Sequence, residues 1–164
     1  MSLSIRPASP QDIPTISRLA EEIWWPTYRD FISDEQIGFM LQDMYSVTSL
    51  EKQLADGIIF LLALRDGLPV GFAGFSQTDQ IEQVFKLHKL YVLPTEQGRG
   101  TGKALVQEVS CMAKADGGKI LELNVNRGNK AQHFYKKIGF DIYQTLDIPY
   151  HQFVLNDYVM RKIL

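Results

Sequence analysis

The chain has 164 residues, 45% apolar and 22% charged, with 17 Lys and Arg against 19 Asp and Glu and a formal charge of -2. That length suits one domain with one core, the composition excludes disordered and low-complexity classes, and no global basic excess points to nucleic acid or an anionic membrane. The single cysteine, Cys111, excludes an intramolecular disulfide and a cysteine-based zinc site. Residues 1–10 lack the charged-then-apolar order of a secretory signal. The longest apolar run, Ile58 to Leu64, has seven residues, against the roughly 20 that a membrane helix needs. The expectation is a soluble, cytoplasmic protein with one domain over 1–164.

Ser9-Pro10-Gln11-Asp12 opens a first helix: Ser9 can cap, Pro10 suits the first helical position, and Asp12 completes a capping-box pattern. Ile13, Ile16, Leu19, Ala20 and Ile23 follow at helical spacing. Trp24 to Phe31 reads as an aromatic-rich loop. Ser33 with Gln36 opens a second helix carrying Ile37, Met40, Leu41 and Met44. A short helix over Thr48 to Ala55 stops at Asp56-Gly57. Ile58 to Arg65 and Val70 to Ser76 read as strands joined by the turn Asp66-Gly67-Leu68-Pro69. Phe85 to Leu93 is a further strand, and the glycine-rich Gln97 to Lys103 leads into a helix carrying Leu105, Val109 and Met112. Cys111 lies near Met112 and is expected to be buried or half-buried. Ile120 to Val125 is the next strand. Asn129 with Gln132 repeats the capping-box pattern before a helix with the stripe Ala131, Phe134, Tyr135 and Ile138. Strands near Phe140 to Thr145 and Phe153 to Ile163 complete the chain. Helices, a hairpin, then strand-helix-strand-helix-strand argue for a mixed α/β sheet rather than a purely parallel one.

Strand, glycine-rich turn and helix start together make an anion-holding device. Glycines let successive N–H groups point into one concavity, and the helix adds its positive end. Arg99 and Lys103 add mobile charge. A nucleotide P-loop is excluded, because Gln97 stands where its first glycine belongs and Ala104 where its hydroxyl belongs. A dinucleotide fingerprint fails because neither Gly98 nor Gly100 has a glycine at the last required place.

Leu90 to Gly102, with Gln97, Gly100 and Gly102 matching Gln/Arg-x-x-Gly-x-Gly/Ala, resembles the acetyl-CoA signature of the GNAT superfamily of N-acetyltransferases. Leu123 to Asn126, Asn129, Ala131, Phe134 to Lys137 and Gly139-Phe140 are similar to that family's other conserved region. Ile23 to Tyr28, Ile32 to Ile37, Met40-Leu41, Met44 to Ser46 and Lys86 to Val92 resemble the PaiA-like polyamine acetyltransferases within it. The resemblance implies a mixed, mostly antiparallel central sheet flanked by helices, and acetyl-CoA as cosubstrate with no metal. It also implies that Gln97, Gly98, Arg99, Gly100, Thr101 and Gly102 wrap the pyrophosphate, with help from Lys103. The strand edge at Leu90, Tyr91 and Val92 would bond the pantetheine, with the Val92 N–H toward the thioester oxygen. Phe134 belongs to the matching block. Tyr135 would protonate the leaving sulfur; from its spacing alone it is equally a member of the core stripe. Asn129 is either a cofactor contact or a plain cap, and Lys137 is a solvated residue or reaches a phosphate.

Taking a lysine-like amine to its neutral form at pH 7 costs about 4.6 kcal/mol, so a base or a desolvating site is needed. Family members often carry a carboxylate on the strand of Leu90 and Val92. Here Lys86, His88, Leu90 and Val92 share one face and none is an acid. His88 is the replacement base or a strand histidine satisfied by a neighbour; Glu82 is the fallback. Trp24 and Tyr28, with Asp30 and Glu35, either form an aromatic and acidic wall for a cationic amine or are core aromatics beside first-turn acids. His133 and His151 read as surface or loop residues, and three scattered histidines make no metal site. The partner is a small-molecule amine, a polyamine such as spermidine first, then another small amine, an aminoglycoside or a protein N-terminus. A non-catalytic coenzyme A-binding regulator and an interaction module with a purely structural glycine turn are the rivals. A homodimer is compatible with the sequence and required by no residue.

Overall fold

A computed structural model describes residues 2–164. The chain forms two compact units, one of residues up to Ser76 with Lys89–Val109, the other of Gln77–His88 with Ser110–Leu164.

The first unit opens on β1 (Leu3–Pro7), which pairs antiparallel with β2 (Ile59–Arg65) from Leu3↔Arg65 to Pro7↔Leu61. No strand was expected from residues 3–7: the segment is short and closed by a proline. β2 pairs antiparallel with β3 (Leu68–Asp79), and the two residues between them, Asp66 and Gly67, both have positive φ. That is a two-residue hairpin turn of the kind whose twist suits antiparallel strands, tighter than the four residues the sequence suggests.

A 3-10 turn, Pro10–Asp12, leads into α1 (Ile13–Tyr28). Ser9 N–H donates to Asp12 Oδ2 at 2.8 Å, the reciprocal half of the expected capping box. α1 does not stop at Trp24. It continues through Pro26 to Tyr28, with Thr27 Oγ1 donating to Ile23 C=O at 2.7 Å and Arg29 N–H to Trp25 C=O at 3.2 Å. Trp24 is buried against Tyr45 and Tyr91, and this packing outweighs the proline's missing donor. α2 (Asp34–Tyr45) and α3 (Val47–Ala55) start where Ser33 and Ser46 accept N–H bonds from Gln36 and Ser49. The apolar stripes of α1 and α2 are buried with Leu50 of α3, Phe60 to Leu62 of β2, and Phe72 and Phe75 of β3.

β4 (Val84–Val92) begins in the second unit, where it pairs in parallel with β5 (Ile120–Asn126) through Val84↔Ile120, Phe85↔Leu121 and Lys86↔Glu122, and both strands continue past that register, β4 into the first unit from Lys89. β7 (Phe153–Ile163) pairs antiparallel with β5 and with β6 (Asp141–Tyr150). The hydrogen-bonded strand order is β1-β2-β3-β4-β5-β7-β6, a mixed and mostly antiparallel sheet. β5 alternates strictly: Leu121, Leu123 and Val125 are buried, while Glu122, Asn124 and Asn126 on the other face are half-buried. α4 (Thr101–Ala115) and α5 (Ala131–Lys137) complete the set. Along α4 the buried residues include Leu105, Val106, Val109 and Ala113. That stripe turns Cys111 outward, and the thiol residue is exposed rather than buried as the sequence suggests. No helix among the described residues is long and apolar enough to cross a membrane.

Candidate active site

The first unit holds the glycine turn. Gly98 and Gly100 have φ of 79° and 84°, and a Cβ built on either meets nothing within 4 Å. The turn therefore needs glycine for its left-handed backbone and faces open space. The first α4 bond runs from Ala104 N–H to the Gly100 carbonyl at 3.0 Å. The amides of Thr101, Gly102 and Lys103 consequently have no intrahelical acceptor. Unpaired amides at a helix start form an anion-binding end, which is what a pyrophosphate group requires.

Beneath this turn lies a carboxylate that sequence reasoning did not single out. Glu96 is 4% exposed. Its Oε1 accepts from Arg65 Nε at 2.7 Å and from Thr101 Oγ1 at 2.9 Å, and its Oε2 from Arg99 Nη1 at 3.1 Å. Arg65 also reaches Thr101 Oγ1 at 3.2 Å. Burial alone would raise the Glu96 carboxyl; the bonds from Arg65 and Thr101 and the two guanidinium charges reverse this and hold it below its ordinary value. Arg99, expected as mobile charge, is thus tethered, whereas Lys103 and Gln97 are exposed.

The expected substrate wall divides. Trp24 is buried, Tyr28 is half-buried with its hydroxyl 2.9 Å from that of Tyr91, and Asp30 and Glu35 are exposed. Tyr91 directs its ring into this cluster, 5.7 Å from Trp24 and 5.7 Å from Phe72, while Leu90 and Val92 are half-buried. A cation already stands here. Lys89 is 5% exposed, its Nζ lies 4.5 Å from the centre of the Tyr45 ring, and burial pushes its pKa down to about 8.

The second unit holds Tyr135, His88, Asn129, Phe134 and Lys137. Tyr135 is buried, with its ring 5.3 Å from Phe134 and 5.6 Å from Phe140. Burial raises its phenol above the ordinary value, so it carries its proton throughout the physiological range. Asn129 Oδ1 accepts from the N–H of Ala131, the first residue of α5, at 2.9 Å. Gln132 does not close a capping box: its side chain donates to the Arg127 and Asn129 carbonyls. Lys137, His133 and Glu82 are exposed, and Phe134 and His88 are half-buried. Asp157 of β7 is a second acid that sequence reasoning did not single out. It is 9% exposed and accepts from Asn124 Nδ2 at 3.4 Å.

Residues 28–145 match the family model described as an acetyltransferase (GNAT) domain. The chain belongs to the GNAT acetyltransferases. As such it is an N-acetyltransferase that uses acetyl-CoA, as the glycine turn and the matched region together required. This GNAT protein is 30% identical over 151 residues to spermidine N(1)-acetyltransferase of Thermoplasma acidophilum, covering 88% of this chain and 92% of that one. It superposes on the crystal structure of the PaiA N-acetyltransferase from Thermoplasma acidophilum in complex with coenzyme A, with a TM-score of 0.85, 28% identity and full coverage of both chains. It is also 32% identical over 97 residues to a Haemophilus influenzae acetyltransferase acting on the alanine of ribosomal protein bS18, covering 59% of this chain and 64% of the other.

Proposed function

We propose that this GNAT protein transfers an acetyl group from acetyl-CoA to a primary amine by direct attack on the thioester, with a polyamine such as spermidine as acceptor. The observation that carries the reading is the open glycine turn, whose left-handed Gly98 and Gly100 precede three helix-start amides lacking intrahelical acceptors. Gln97 to Gly102 hold the pyrophosphate through the main chain, and Lys103, exposed beside them, adds charge. Leu90, Tyr91 and Val92 bond the pantetheine through the main chain, and β4 running on past its register with β5 supports this. In the second unit, Asn129 and Lys137 are assigned to the cosubstrate by the family resemblance. The cosubstrate supplies an activated acyl group and a thiolate leaving group.

Tyr135 protonates the departing sulfur. A buried phenol that stays protonated is a donor in the right state, and a thiolate leaving into low-dielectric surroundings is itself made more basic by desolvation. The amine's proton leaves on the sheet face that carries His88. Spermidine is favoured by the 30% identical relative, and Asp30 and Glu35 are exposed acids available to a second ammonium. Tyr135→Phe is expected to lower kcat roughly a hundredfold while leaving the Kd for acetyl-CoA within about twofold. Thiol release and calorimetry check the two halves. Equal loss of turnover and affinity would make Tyr135 a packing residue.

A further inference from the structure

Resting on the reading that the chain acetylates an amine, we propose that Asp157 is the catalytic proton acceptor, taking the proton of the acceptor's ammonium so that the neutral nitrogen can attack. β7 sets Asp157 opposite Asn126 of β5 and opposite Leu146 of β6. Partners across a ladder share a face, and so do residues two apart on one strand. Asp157 therefore stands on the face of Asn126, Asn124 and Glu122. Lys86 lies opposite Glu122, which puts Lys86 and His88 of β4 on that face too. β4 carries no acid on this face, and β7 supplies one.

The charged groups around Asp157 are accounted for on each neighbouring strand. Lys86 from β4 and Arg127, just beyond β5, act on the carboxylate through their charge. Arg127 is itself bonded to Asp147 of β6, and Glu122 accepts from Arg161 of β7 at 2.8 Å. Among the described residues the carboxylate has no ion pair within 4 Å; Asn124 alone is shown donating to it. Burial is the largest influence and raises its pKa, against Asn124, Lys86 and Arg127, which lower it. A carboxylate near 4 is a poor base for an ammonium, and one raised by its surroundings is better matched.

The proton balance is complete. Asp157 takes the first proton from the ammonium and releases it to solvent. The C–N bond then forms as the C–S bond breaks, and Tyr135 gives its proton to the sulfur. The second proton, lost from nitrogen after bond formation, restores Tyr135. Net, one ammonium and one thioester give one amide, one thiol and one proton.

The test is the pH dependence of thiol release by purified protein with acetyl-CoA and an amine the wild type accepts. Asp157→Asn is expected to lower kcat/KM about a hundredfold and to move the acid-side limb of the profile up toward the pKa of the amine itself, with the Kd for acetyl-CoA unchanged. Asp157→Glu is expected to restore the limb in part, and His88→Gln to keep it. A wild-type profile in Asp157→Asn would overturn the assignment, as would the same upward move of the limb in His88→Gln. Parallel loss of acetyl-CoA affinity and melting temperature in Asp157→Asn, without rescue by Asp157→Glu, would make the residue structural. A wild type that releases no thiol with any amine would overturn the acetyltransferase reading itself.

Discussion

Glu96→Gln is expected to lower the stability of the protein by about 3 kcal/mol, the lower end of what breaking a buried ion pair costs. The carboxylate is the common acceptor for Arg65, Thr101 and Arg99, and Arg65 and Glu96 are both largely shielded from water. A neutral amide leaves the Arg65 guanidinium buried without its counter-charge and loosens the first residue of α4. The effect depends on pH in a definite sense. Because the folded carboxyl lies below its ordinary value, its contribution is present above pH about 4.5 and is lost as pH falls through the folded value. Denaturant melts of wild type and Glu96→Gln should therefore converge in acid. The double variant Arg65→Met with Glu96→Leu, which removes both charges, is expected to recover most of the loss, since apolar replacement of a buried pair is often neutral or better. A double variant no more stable than Glu96→Gln would show that the pair is not the source of the effect.

Lys89→Met is expected to raise stability at pH 7. The folded pKa of about 8 against the ordinary 10.5 corresponds to about 3 kcal/mol of burial cost at about 1.36 kcal/mol per pH unit. The contact with Tyr45 offsets about 1 kcal/mol of it, which leaves a gain of about 2 kcal/mol. Below pH 8 both folded and unfolded chains hold the proton and the folded state bears the whole cost. As pH rises from 8 toward 10.5 the folded lysine gives up its proton first, the unfolded chain binds more protons, and stability rises. The wild type should thus gain on Lys89→Met across that window and match it near its upper end. A variant less stable than wild type at pH 7 would mean that Lys89 has a favourable partner.

Local chemistry was legible in the sequence where a few adjacent residues settle the outcome. Ser33 with Gln36 and Ser46 with Ser49 start helices through bonds three residues long, and Asp66-Gly67 turns a hairpin because both residues accept positive φ. The GNAT fold and the acetyl-CoA reading followed from Gln97 to Gly102 and Asn129 to Phe140, each contiguous. Outcomes set by distant residues were not legible. Pro26 announces a break locally, yet Trp24 packing on Tyr45 and Tyr91 carries α1 through it. Glu96 finds its main partner, Arg65, on a strand 31 positions earlier. Asp157 meets Asn124 only because β7 inserts between β5 and β6. Alternation put Lys89 opposite to His88, but its burial depends on Tyr45 of α2. That same lysine bears on the acceptor. The aromatic cluster that the sequence suggests for a cationic substrate already holds a cation of the chain's own over Tyr45, so a polyamine would depend on exposed acids such as Asp30 and Glu35.

The most direct test of the central claim is thiol release from acetyl-CoA by the purified protein with a panel of amines, including spermidine, an aminoglycoside and a peptide with N-terminal alanine, each product identified by mass. Acetyl-CoA-dependent acetylation of at least one primary amine, fastest for spermidine, is the predicted result. Binding of coenzyme A with no thiol released for any amine would contradict it.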